Sequence, residues 1–105
     1  MTLHKNPEQL EQAVMILKAL ANSSRLLVLC VLRNGGEKNV SELEQIVGLS
    51  QSALSQHLAR LRKDDLVTTR RQAQTIFYAA KTTHADQLLD LLCQIYAPSI
   101  DSEKA

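Results

Sequence analysis

The stretch LSQSALSQHLARLRKDDL, residues 49–66, sets three leucines in helical register against a face of short hydrogen-bonding side chains. At about 100° per residue, Leu54, Leu58 and Leu61 fall on one narrow stripe suited to a core. Opposite them lie Ser52, Gln56, Ala59 and Lys63, with Ser55 and Arg60 at the margins. Ser50 is placed to cap the helix by accepting a backbone N–H. A helix that only packed would not need serine and glutamine on its outer side. Major-groove base edges do need groups that both donate and accept, and a small alanine permits close approach to a thymine methyl. Arg60, Arg62 and Lys63 are long enough for phosphates, which supply position and most of the salt-dependent affinity. His57 sits beside the leucine stripe and reads as a partly buried histidine rather than a base contact.

Working outward, Ser41 and Glu44 read as a capping box opening a short helix that ends at Gly48. The three residues before the next helix give the spacing of a helix-turn-helix. After Asp65, LVTTRRQ and TIFYAA are rich in strand formers and are joined by a polar link near Gln72–Gln74, which reads as a β-hairpin. Upstream, Pro7 opens a helix to about Ala21, with Leu10, Val14, Leu17 and Leu20 at three- to four-residue spacing. Asn22 or Ser23 caps a second helix, SRLLVLCVLRN, stopped by Gly35-Gly36. It is apolar over most of its circumference, so it belongs at the centre. Thr83 and Asp86 read as a capping box for the last helix, ADQLLDLLCQIYA, closed by Pro98; the tail SIDSEKA is expected to fray. The order helix, helix, helix, helix, hairpin, helix is a mainly α winged helix-turn-helix. A single domain covers 1–105, with the helix-turn-helix at 41–65 and the wing at 66–80.

The net charge of +1 hides an asymmetry. Between Gln51 and Gln74, Arg60, Arg62, Lys63, Arg70 and Arg71 stand against Asp64 and Asp65, a local +3 that leaves −2 elsewhere. Such a segment suits contact with a polyanion at one place. The candidate contacts to double-stranded DNA are therefore Gln51, Ser52, Ser55, Gln56, Arg60 and Lys63 on the helix, and Arg70, Arg71 and Gln74 on the hairpin. No apolar run approaches the roughly 20 residues that span a bilayer. The N-terminal MTLHKNPEQLEQ lacks the apolar region of a secretion signal, so no membrane partner and a cytoplasmic location are expected. Nothing points to an enzyme: there is no CxxC, no Gly-rich phosphate loop among only three glycines, and no G-x-S-x-G elbow. A pure interaction module built on the leucine-rich helices is the other class, and weakening by salt would separate DNA binding from it.

LKALANSSRLLVLCVL (17–32), VSELEQIVGLSQSALSQHLARLRKDDLVTTRR (40–71) and QTIFYAA (74–80) resemble the ArsR/SmtB family of winged-helix transcriptional repressors, and within it the thiol-responsive HlyU/BigR/SqrR group. The resemblance spans nearly the whole chain. It implies a homodimer through the first and last helices, 6–21 and 83–97. The residues agree: Leu88, Leu89, Leu91, Leu92, Ile95 and Tyr96 wrap more of the last helix than one small core would use, and Val14, Ile16 and Leu17 are suited to meet them. A twofold dimer implies an inverted-repeat operator with half-sites about one helical turn apart.

Metal-sensing members carry a cysteine pair where this chain has Asn39 and Ser41. Of their other common site only His84 matches, with Thr82, Ile95 and Pro98 in the remaining ligand positions. Zinc needs three or four converging ligands, so no metal and no other cofactor is expected. The thiol-responsive members resemble this chain at Cys30, but their second cysteine falls where Ala97 stands. Cys93 is four residues earlier, about one turn back along the helix. Cys30 and Cys93 are thus either a redox pair answering a reactive-sulfur or oxidant inducer, or two small buried hydrophobes. The alternative to a thiol-released repressor is a regulator without a switch that activates by displacing another DNA-bound silencer.

Overall fold

The computed structural model describes residues 2–97. After a short 3-10 turn, Leu3–Lys5, come α1 (Pro7–Leu20), α2 (Ser23–Gly35), β1 (Lys38–Asn39), α3 (Val40–Val47), α4 (Gln51–Lys63), β2 (Val67–Gln72), β3 (Thr75–Ala80) and α5 (Ala85–Tyr96). The expected order of four helices, hairpin and helix is present. Pro98 and the tail beyond it lie outside the described residues.

Local chemistry accounts for most element ends. Pro7 sits at the start of α1, where its missing N–H costs nothing. Asn22, not Ser23, caps α2, its side-chain oxygen accepting from the Arg25 N–H at 3.1 Å. Arg25 then turns back on α1, donating from Nε to the Ala19 carbonyl at 2.7 Å and from Nη2 to that of Lys18 at 3.0 Å. That satisfies orphan carbonyls at the helix end. Gly48 ends α3 with φ 74°, a left-handed conformation that glycine adopts without penalty. Ser50 caps α4 as its sequence implies, accepting from Ala53 N–H at 3.2 Å.

Two capping boxes differ from the expectation. The one at α3 is formed by Asn39 and Glu42, not Ser41 and Glu44: Glu42 N–H donates to Asn39 Oδ1 at 2.8 Å and Asn39 N–H to Glu42 Oε1 at 2.9 Å. Asn39 wins because it also ends β1, which pairs antiparallel with β3 through Lys38–Tyr78 and Asn39–Phe77 and so brings the chain to the helix already extended. At α5 the Thr83–Asp86 box does not form. Thr83 Oγ1 accepts from Ala85 N–H at 3.1 Å, while the Asp86 carboxylate lies 3.2 Å from Arg33 Nε. A charged partner outcompetes a single backbone amide.

The hairpin pairs Val67 with Ala80 through Gln72 with Thr75, leaving Ala73 and Gln74 as a two-residue turn with Ala73 at φ 57°. β1 adds a third strand in the order β1-β3-β2, too short for any sequence periodicity to mark. The core is a single cluster in which Leu54, Leu58 and Leu61 of α4 meet Val28, Leu29 and Leu32 of α2, with Leu43 and Leu89 also enclosed. This anchors the leucine side of α4 and turns its other side outward.

Candidate nucleic-acid interface

The outward side of α4 carries Gln51, Ser52, Ser55, Gln56, Ala59, Arg62 and Lys63, all exposed. Among the described residues, no intramolecular side-chain hydrogen bond engages Ser52, Ser55, Gln56 or Lys63, so their donors and acceptors stay available. Arg60 is half-buried and held by Asp64, Nε to Oδ2 at 2.7 Å. It sits on the margin as an intrahelical pair rather than as an open phosphate contact. His57 is half-buried, as expected. A helix of about 10–12 Å diameter matches a major groove about 12 Å wide, so the α4 face has the size as well as the chemistry for base edges.

The wing divides its two arginines. Residues alternate across a strand, so Arg70 and Arg71 project to opposite faces of the sheet. Arg71, opposite Ile76, is exposed and has no ion pair among the described residues. Arg70 is engaged by Glu37, a residue of the loop between α2 and β1 that sequence reasoning did not single out. Gln74 lies exposed in the turn.

A second surface runs along the outside of α1 and α5. Leu10, Val14 and Leu17 of α1 are exposed, and the helix buries only Ala19 and Leu20. On α5, Leu91, Leu92, Ile95 and Tyr96 are 50, 37, 57 and 80 % exposed. Leu89, grouped with them on sequence, belongs to the protomer's own core at 1 % exposure. Ile16, Leu17, Leu88 and Leu91 line an apolar groove of about 560 Å³ between the two helices.

Cys30 of α2 and Cys93 of α5 are both half-buried free thiols. Burial pushes the Cys30 thiol above its ordinary range, the nearby Cys93 adds to the rise, and the Arg33 guanidinium opposes it. Arg33 is a basic neighbour that adjacency in sequence does not reveal: three positions on from Cys30, it lies one helical turn away. Its charge is shared with Asp86 and with Asp90, the latter at 2.8 Å from Nη2. Because burial raises the thiol, alkylation of Cys30 by iodoacetamide is expected to keep accelerating from pH 7 to pH 9. A rate already flat by pH 8, read by mass spectrometry of the Cys30 peptide, would contradict this. Among the described residues, no three His, Cys, Asp or Glu side chains come together to hold a metal, and no single helix is long and apolar enough to cross a membrane.

A capped helix pair whose second member turns a polar face outward, beside a basic two-stranded wing, defines a winged helix-turn-helix regulator. Residues 22–69 match the model of the bacterial regulatory protein, arsR family. The chain is 47 % identical over 96 residues to the transcriptional activator HlyU of Vibrio cholerae, covering 91 % of this chain and 88 % of that one. Among solved structures, the transcriptional repressor BigR from Xylella fastidiosa superposes with a TM-score of 0.82 at 37 % identity, covering 92 % of this chain and 98 % of that one. NolR from Sinorhizobium fredii gives 0.80 at 46 % identity over 91 % and 94 %. This protein belongs to the ArsR family of transcriptional regulators.

Proposed function

We propose that the protein is a homodimeric, sequence-specific repressor that reads an inverted-repeat operator and is released when Cys30 and Cys93 are oxidised. The observation that carries the DNA reading is the outward face of α4, where Ser52, Ser55, Gln56, Ala59 and Lys63 stand exposed while its leucines are fully enclosed. Ser52, Ser55 and Gln56 contact base edges, with Gln51 at the helix start. Lys63 holds phosphates from the helix, and Arg71 and Gln74 hold them from the wing. The exposed leucines of α1 and α5 close the twofold interface, which sets the two α4 helices one helical turn apart on the duplex.

The switch rests on Cys93 lying near enough to Cys30 to raise its thiol, on two helices that Arg33 ties together through Asp86 and Asp90. A polysulfide carrying sulfane sulfur is the oxidant. The Cys30 thiolate takes a sulfane sulfur to form a persulfide. The Cys93 thiolate then attacks Cys30 Sγ and expels that sulfur as sulfide. Two thiols lose two electrons and two protons, and one sulfane sulfur leaves as hydrogen sulfide. Tying α2 to α5 shifts the protomers and moves the α4 helices off successive grooves. A coupling of about 1–3 kcal/mol weakens operator affinity about 5- to 150-fold.

A second reading, a regulator without a switch that activates by displacing a silencer, is favoured by one relative's being a transcriptional activator. Operator affinity of reduced, organic-tetrasulfide-treated and Cys30→Ser protein, measured across a salt series, separates these. Reduced protein is expected to bind with a steep salt dependence, tetrasulfide to weaken it, and Cys30→Ser to bind regardless of treatment. Equal affinities for all three would remove the switch, and salt-independent binding would remove the DNA reading itself.

A further inference from the structure

Glu37 meets Arg70 of the wing with both carboxylate oxygens. Arg70 Nη2 donates to Oε1 and Nε to Oε2, the latter at 3.3 Å. Nη1 donates to Gln72 Oε1 at 3.0 Å, and the flat guanidinium lies 4.6 Å from the centre of the Phe77 ring. Two faces of the fork and one face of the plane are thus occupied, and the positive charge is matched one to one by a carboxylate. The neighbouring Arg71 has no such partner among the described residues.

We propose that Glu37 sets the DNA affinity of the interface by holding Arg70 back from the phosphate backbone, leaving Arg71 as the wing's basic contact. This rests on the reading that α4 and the wing face DNA. A phosphate and a carboxylate compete for the same bidentate fork. An exposed pair of this kind is weak by itself, so pairing energy alone would not keep a phosphate from taking the fork. What the exchange leaves behind is an uncompensated carboxylate against a polyanion, and that repulsion decides the outcome. The hydrogen bond from Arg70 also favours the charged form of Glu37, lowering its carboxyl from the usual glutamate range. Since non-specific affinity comes from phosphate neutralisation, subtracting one phosphate partner per protomer lowers binding to any sequence and leaves base reading by α4 untouched. Glu37 in this sense sets affinity and not specificity.

The test uses the reduced full-length protein with its operator and a scrambled duplex of equal length, titrated from about 50 to 200 mM salt. Glu37→Gln is expected to tighten binding to both duplexes roughly fivefold per protomer and to steepen the log–log salt slope by about 0.9 per protomer. Arg70→Gln alone is expected to leave the slope unchanged, since no phosphate contact is lost, and to weaken binding less than it does in the Glu37→Gln background. The double variant is expected to return to the wild-type slope. Thermal unfolding of each variant checks that the wing remains folded.

Three results would overturn the inference. Glu37→Gln could leave the slope unchanged; Arg70→Gln could weaken binding equally with and without Glu37; or the gain could persist in the double variant, making it a bulk charge effect. If the wild type itself bound duplex without salt dependence, the DNA reading would fall and the inference with it. Normal wild-type binding with a flat Glu37→Gln response sinks the inference alone.

Discussion

Replacing Leu17 and Leu91 together with glutamate is expected to give a folded monomer whose affinity for a two-half-site operator falls by about 10²- to 10⁴-fold. Both residues are largely exposed in the protomer, at 56 and 50 %, and both line the groove between α1 and α5. The protomer's own core takes Ala19, Leu20, Ala85 and Leu89 from these helices, and the double variant leaves them in place. The charge therefore goes where water already reaches and should cost little in protomer stability. It is prohibitive only if a second copy covers that surface, because two carboxylates per protomer would then be buried without partners.

The loss of affinity follows from linkage of the two half-sites. In a dimer the second α4 docks at the effective concentration set by the first, and a monomer forfeits that gain although its own base reading is intact. Sedimentation equilibrium gives the assembly state, and titration of one-half-site and two-half-site duplexes gives the affinities. A variant that stays dimeric, or one that binds both duplexes as the wild type does, would refute a twofold interface on this surface.

The second large effect belongs to α4. The pair Ser52→Ala and Gln56→Ala is expected to reduce discrimination between operator and scrambled duplex by about 5- to 150-fold for each base edge left unread, the equivalent of about 1–3 kcal/mol each. Binding to the scrambled duplex and the salt slope should stay as they were, since neither residue neutralises a phosphate. Lys63→Gln is expected to do the reverse: a uniform loss on both duplexes with a slope shallower by about 0.9 per protomer. All three side chains are exposed and free of intramolecular bonds among the described residues, and alanine is the better helix former. Stability should not fall with discrimination, which a thermal melt alongside the titrations would establish. Unaltered discrimination in the double alanine variant would show that bases are read from elsewhere.

Much of this architecture was legible because it is written in local chemistry. The leucine spacing of α4 dictated its inward side, Ser50 and Gly48 marked the turn between the helices, and strand formers on either side of a polar link announced the wing. The expectations that the fold overturned share one cause: a local pattern fitted two places, and a distant group chose. Ser41–Glu44 and Asn39–Glu42 both satisfy a capping box, and pairing of Lys38 and Asn39 with Tyr78 and Phe77 selected the second. Thr83–Asp86 has the right spacing, but Arg33, on α2, took the carboxylate. The leucines of α5 look alike in sequence, yet Leu89 is enclosed and Leu91 is half exposed, because only one of them points at the protomer core.

The candidate site shows the same division. The outward side of α4 follows from 3.6-residue periodicity alone, because whatever lies opposite three buried leucines must face solvent or a partner. The wing arginines do not follow. Which of Arg70 and Arg71 stands open depends on Glu37, 33 residues earlier than Arg70 in the chain, and how much of the Arg33 charge reaches Cys30 depends on Asp90, 57 residues beyond Arg33. Sequence by itself determined the helices, the turn, the wing and the outward face of α4, since capping and periodicity act within a few residues. Tertiary structure alone decided which charges are matched and which leucines are left uncovered, because ion pairing and burial act between groups that the chain keeps far apart until it folds.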